Sequence, residues 1–152
     1  MKICFIIDKE LSPNSFAFLF PLLLNIKNIN EEIEMLYRLP EKNYDLIFVD
    51  SKFYNKKFQS NDFKSITNDL TSLRQKCRKI IYCDNEASIF INKSIFSFID
   101  YYLKGRLPKN LNMYKKKLYR QREFTDYYHN KFGIIDDPVN YSNSLEDKDL
   151  KK

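Results

Sequence analysis

Four short apolar runs in this 152-residue chain each end on residues able to do chemistry. Asp8 closes "KICFII", Asp50 with Ser51 closes "DLIFV", Asp84 with Asn85 and Glu86 closes "KIIYC", and Lys104, followed by Arg106, closes "DYYL". A carboxylate beside a hydroxyl can act as general base, and a cluster of carboxylates can hold a hard cation. Lysine and arginine can hold an anionic group. Each is also what an ordinary strand end carries; what draws attention is that four such ends occur together. The one histidine, His129, lies in "REFTDYYHNKFGIIDD" (122–137) beside Arg122 and Asp126.

Several chemistries are excluded by what is missing. The phosphate cradles G-x-G-x-x-G and G-x-x-x-x-G-K-[ST] need closely spaced glycines, and this chain has only Gly105 and Gly133, so it should not bind a dinucleotide or ATP in the usual way. With one histidine and no clustered cysteines, no metal site is expected beyond an all-carboxylate one. A serine or cysteine nucleophile would need His129 as its base, and nothing in the sequence positions a partner beside it.

Positioning these residues calls for a particular set of elements. "KICFII" (2–7), "EIEMLY" (32–37), "YDLIFVDS" (44–51), "KIIYCD" (79–84) and "SFIDYYLK" (97–104) read as five strands, several apolar on both faces as in a parallel sheet. "SFAFLFPLLLNI" (15–26) reads as a buried helix capped by Ser12, with Pro13 at its first position and a kink expected at Pro21. Phe63, Ile66, Leu70 and Leu73 paint one face of a helix over 61–76, with Asn61 as its N-cap. "EASIFIN" (86–92) reads as a short link. The alternation predicts an α/β fold with a mostly parallel five-stranded sheet, right-handed crossovers and helices on both faces. In such sheets ligands bind beyond the carboxyl ends of the strands, where all four ends above would gather.

Beyond Gly105 the chain changes character. Residues 105–137 form a basic, Tyr-rich, partly helical extension that Gly133 can close as a helix C-cap. Phe124, Tyr128 and Phe132, at four-residue steps, are expected to be an apolar stripe docked on the sheet. Residues 1–137 are read as one domain and 138–152 as a polar, flexible tail. Between Lys109 and Lys131 seven Lys or Arg face only Glu123 and Asp126, and the chain carries a formal charge of +6. Lys, Asn, Ile, Tyr and Phe are abundant and Ala scarce, the imprint of an AT-rich genome, so the charge says little about partners; nucleic acid is not the expected one. Cys4, Cys77 and Cys83 sit in apolar runs without C-x-x-C spacing and read as reduced core residues, which favours a cytoplasmic protein. The longest apolar run, "FAFLFPLLL" (16–24), is far short of the ~20 residues of a membrane span.

Two resemblances follow. The alternation of elements is similar to that of phosphoacceptor receiver domains, with Asp8, Asp50 and Lys104 at the acidic, phosphoacceptor and lysine places. The departures are Asp8-Lys9 in place of an acidic pair, Cys83 where Ser or Thr is usual, and Gly105-Arg106 after the lysine. More specifically, "CDNEAS" (83–88), "DYYLKGRLPKNLNMYKKKLY" (100–119) and "REFTDYYHNKFGIIDD" resemble the amino-terminal half of glycosyltransferase-like proteins of bacterial surface-polysaccharide loci. That resemblance implies a three-layer Rossmann/flavodoxin-like domain, the acceptor side of a GT-B architecture. It implies a role in surface-polysaccharide synthesis, incomplete as a catalyst alone. No cofactor is expected in this chain, and the nucleotide sugar is expected on a missing half. The implied partners are a glycan acceptor or a second glycosyltransferase domain.

Carried onto this sequence, Asp84 and Glu86 match the acidic strand end and Tyr101, Tyr102 and Lys104 the fifth strand. Arg122, Thr125, Asp126, Tyr127, Tyr128 and His129 match the last motif. The implied substrate-binding set is Asp8, Asp50, Asp84, Glu86, Lys104, Arg106, Arg122 and His129, with no catalytic base assigned. The alternative is a receiver-like regulatory or interaction domain with Asp50 as phosphoacceptor.

Overall fold

The structure, a computed structural model, describes residues 1–151 except 11, 30, 87, 88, 137–140 and 143, and only the backbone at 14, 18, 22, 23 and 26. Residues 87 and 88 of "CDNEAS", Asp137 of the last motif and the expected boundary at 137/138 therefore lie outside the described residues. The described chain divides into two compact units: Met1–Asn85 with Ile95–Gly105, and Glu86–Ser94 with Arg106–Lys152.

The first unit is an α/β sheet domain of Rossmann-like type. Its strands are β1 (Lys2–Ile6), β2 (Glu32–Leu36), β3 (Tyr44–Asp50), β4 (Cys77–Asp84) and β5 (Tyr101–Lys104), and its helices α1 (Pro13–Asn25), α2 (Asn55–Gln59) and α3 (Phe63–Arg74). The sheet order is β2-β1-β3-β4-β5 and every pairing is parallel. Side chains alternate across it. Cys4, Ile6, Ile47, Val49 and Ile80 face one core with Ile66, Leu70 and Leu73 of α3, while Ile3, Phe5 and Ile7 face another with Leu19 of α1. Phe5 and Phe48 stack on that second face, ring centroids 4.6 Å apart. Burial on both faces is why these strands read as continuous apolar runs, and it makes the unit three-layered.

Helix ends show the local chemistry at work. Ser12 Oγ accepts the Ser15 N–H at 3.1 Å with Pro13 in the first turn, and Pro21 lies inside the helix. The cap of α3 is Asp62, whose Oδ1 accepts the Ser65 N–H at 3.1 Å, and not Asn61. Asn61 instead takes φ 56° in the turn from α2, a conformation asparagine tolerates.

Two connections depart from the expected pattern. Residues 37–43 carry the chain from β2 across β1 to β3 without a helix, held by Lys76 Nζ on the Pro40 carbonyl (2.7 Å) and by Leu39 packed on the α3-side core. The fifth strand is shorter than 97–104, because Lys93–Phe98 is a 3₁₀ helix. Asp100 stops the ladder: its Oδ2 accepts the Ile80 N–H at 2.8 Å, a bond a backbone carbonyl would make had the strand begun earlier.

The second unit is built round Tyr119, which is fully buried. Helix α4 (Glu123–Phe132) ends at Gly133, whose φ of 67° is the left-handed conformation that suits a helix C-cap. Within the stretch read as a tail, Ser142 and Leu145 are buried: the Ser142 N–H donates to the Leu118 carbonyl (2.9 Å) and the Leu145 N–H to that of Tyr114 (2.8 Å). Among the described residues, no helix is long and apolar enough to cross a membrane.

Candidate functional site

Parallel order brings the carboxyl ends of β1, β3, β4 and β5 to one edge of the sheet. The structure does not make one cluster of them. Lys104 Nζ lies 2.8 Å from Asp84 Oδ2, and both side chains are buried, 2% and 6% exposed. Tyr102 donates its hydroxyl to the same oxygen. The pair therefore ties β5 to β4, and Lys104 serves Asp84 and not Asp50. Gly105 completes this corner: its N–H donates to the Asp84 carbonyl (2.8 Å), and an added Cβ would stand 3.3 Å from that oxygen.

Asp50 lies at the point where the strand order reverses, the usual ligand crevice of such sheets. It is 5% exposed. Its Oδ1 accepts the Lys52 N–H (3.2 Å) and the Asn85 side-chain amide (3.1 Å), while Oδ2 is buried with no hydrogen-bond partner. Ser51 Oγ accepts the Asn85 N–H at 3.3 Å. The cavity beside these groups, lined also by Leu19 and Cys83, is only about 10 Å³, room for roughly one water. Asp8 is turned to its own loop, with Oδ1 on the Glu10 N–H at 3.4 Å. Among the described residues, no three His, Cys, Asp or Glu side chains converge as a metal site would require.

The cysteines offer no nucleophile here. All three are free. Burial, then the Asp50 and Asp84 carboxylates, pushes the Cys83 thiol far above its ordinary range. Burial lifts Cys4 to about 12 and Cys77 to about 11. Asp100, which sequence reasoning passed over, holds three groups: the Ile80 N–H, Arg74 and Lys79. Burial pushes its pKa up, but the Ile80 N–H, Arg74 and Lys79 outweigh burial and hold it below its usual value.

The second unit holds Glu86, Arg106, Arg122 and His129. Arg106 is exposed and Glu86 half-buried. His129 is structural in its contacts: its ring stacks on Tyr119 with centroids 3.9 Å apart, and Nδ1 donates to the Ile134 carbonyl at 2.7 Å, since a carbonyl can only accept. Asp126 accepts the Tyr119 N–H at 2.8 Å. Tyr119 Oη donates to the Asp136 carbonyl (2.8 Å) and accepts the Asp136 N–H (2.6 Å). Helix α4 thus turns its polar face inward. Its aromatic stripe, expected against the sheet, points outward, with Phe124, Tyr128 and Phe132 60%, 48% and 59% exposed.

A pocket of about 470 Å³ opens beside this helix. Its wall includes Arg122, Phe124, Thr125, Tyr128 and Asp136, all from the "REFTDYYHNKFGIIDD" segment, together with Arg120 and Gln121. Arg120 and Gln121 have φ of 54° and 60°. Left-handed backbone costs a non-glycine residue about 1–2 kcal/mol, so this turn is strained where it borders the pocket. No family model, curated protein or solved structure matches the chain. Of the substrate-binding set, then, the structure joins Asp84 with Lys104, leaves Asp8 and Asp50 in separate contacts, and puts Arg122 at a pocket. The pocket itself was not legible in the sequence.

Proposed function

We propose that this chain is a glycosyltransferase-like domain on the acceptor side of bacterial surface-polysaccharide synthesis, working in the cytoplasm with a half that binds the nucleotide sugar. One observation supports it above the rest. The segment that carries the motif resemblance both builds and lines: Asp126 and His129 fold it onto Tyr119, Asp136 bonds the Tyr119 hydroxyl through its backbone, and Arg122, Phe124, Thr125, Tyr128 and Asp136 line a pocket of small-molecule size. The donor chemistry belongs to the nucleotide-sugar half. This chain's part is to hold the acceptor so that its hydroxyl meets the donor, the positioning that lowers the entropic barrier to transfer. Three free cysteines agree with a reducing compartment. Incubating the chain with a nucleotide-sugar-binding half and labelled nucleotide sugars tests the reading. Label should move to an acceptor glycan or to water; a stably assembled pair inert towards several donors would sink it.

A second reading, a receiver-like domain phosphorylated on Asp50, is favoured by the strand order and by the unpartnered Asp50 Oδ2 at the end of β3. Against it stand the burial of Asp50, the engagement of Lys104 by Asp84, and the lack of a carboxylate cluster for Mg²⁺ among the described residues. Acetyl phosphate with Mg²⁺ should leave the chain unlabelled. Label that is lost in Asp50→Asn would establish this reading in place of the first.

A further inference from the structure

We infer that helix α1 is a lid over Asp50: it lifts off the switch-point crevice while the rest of the sheet unit stays folded, and so controls access to the free oxygen of the Asp50 carboxylate. The inference concerns the first unit and stands apart from the acceptor-side reading, which rests on the second.

The carboxylate is held but not satisfied. Its Oδ1 accepts the Lys52 N–H at 3.2 Å and the Asn85 side-chain amide at 3.1 Å, and Ser51 Oγ fixes Asn85 in turn by accepting its N–H. Oδ2 is buried and without a partner. An oxygen of a carboxylate left dry and unbonded destabilises the closed form, and the penalty is relieved once water or a ligand's hydrogen-bond donor reaches it. The crevice that holds it is where ligands of parallel sheets bind, at the reversal of strand order.

The walls of the small cavity beside Asp50 show which part can move. Phe5, Ile6, Phe48, Asp50 and Cys83 lie on β1, β3 and β4, each of which is bonded to a strand on either side. Of the described wall residues, Leu19 alone belongs to a helix. The hold on that helix is one-sided: Ser15 and Leu19 are buried, whereas Phe16, Phe20 and Leu24 are 44%, 44% and 65% exposed. Pro21, inside the helix, has no N–H to give the carbonyl four residues back. Lifting α1 thus gives up its inner contacts but hydrates a buried carboxylate oxygen, and elements so held open before the whole fold does.

Cys83 supplies the readout. It lines the same cavity and is 2% exposed, while Cys4 is fully buried in the core on the α3 side of the sheet. A thiol beneath the lid reacts when the lid lifts; Cys4 reacts when the unit unfolds.

The test is pulsed iodoacetamide labelling of the full chain over a series of low urea concentrations, with each cysteine followed by peptide mass spectrometry. Cys83 should react at least about tenfold faster than Cys4 and at a rate nearly independent of urea, as an opening that exposes little surface does, while Cys4 labelling should climb steeply. Asp50→Asn removes the charge and keeps the shape and the Oδ1 acceptor, and should slow Cys83 labelling by about tenfold. The Asp50 carboxylate is one cause of the raised Cys83 pKa, so its neutralisation by itself would speed the reaction, and a slower one reports the lid. Leu19→Ala should speed Cys83 labelling by loosening the lid. Equal rates and equal urea slopes for Cys83 and Cys4 would mean that α1 opens only with the whole unit. Unchanged Cys83 labelling in Asp50→Asn would mean that an ordered water already satisfies Oδ2, and unchanged labelling in a folded Leu19→Ala would mean that α1 does not cover the crevice. Each of these results would overturn the inference; should Leu19→Ala fail to fold, Asp50→Asn and the urea series still decide it.

Discussion

Lys104 shows how far a residue's type can mislead about its work. At the end of a parallel strand it is placed to meet a ligand, yet its ammonium is buried on Asp84 beside the Tyr102 hydroxyl. A buried ion pair contributes little net stability compared with an apolar pair of the same shape, but removing one partner leaves an uncompensated buried charge. Lys104→Met should therefore lower stability by about 3–5 kcal/mol, while Asp84→Leu with Lys104→Met should recover most of that loss. Urea unfolding of the three proteins measures it. A single variant costing less than about 1 kcal/mol would mean that Asp84 is solvated after all. The sequence revealed both residues and their strand ends, because an apolar run ending in a charge is a local pattern. It could not reveal their pairing, which depends on strand order. Asp100 was missed for the same reason: its partners Arg74 and Lys79 are over twenty residues away in the chain.

At the scale of elements, periodicity was a sound guide where a strand or helix has one buried face. The apolar positions of α3 match its buried Ile66, Leu70 and Leu73. The same rule located the stripe of α4 but not its direction, because His129 and Asp126 bring the polar face onto Tyr119 through a ring stack and a buried backbone N–H. That arrangement makes an unusual prediction. Asp126→Ala, which strips the Tyr119 N–H of its acceptor, should cost about 1–3 kcal/mol. Phe132→Gln, at an exposed ring, should change stability by no more than about 0.5 kcal/mol. Thermal or urea unfolding decides between this and an ordinary amphipathic helix, for which the phenylalanine would be the costlier loss. Short 3₁₀ segments and the helix-free crossover at 37–43 were beyond reach of periodicity, since neither repeats long enough to show a period.

For the whole molecule, a parallel sheet in the order β2-β1-β3-β4-β5 supplies the frame, and the second unit supplies a pocket whose wall is the chain's most distinctive sequence. Composition foretold the frame because strands buried on both faces are apolar throughout. The pocket depends on two left-handed residues and on which way one helix faces, and neither leaves a mark in composition. The most direct measurement of the central claim is transfer of labelled sugar by the chain paired with a nucleotide-sugar half, run side by side for wild type and Arg122→Gln. The account predicts transfer by the wild type and a loss of about tenfold or more in Arg122→Gln, the effect of one charge-assisted contact. Equal rates in the two proteins, or no transfer by either pair, would contradict it.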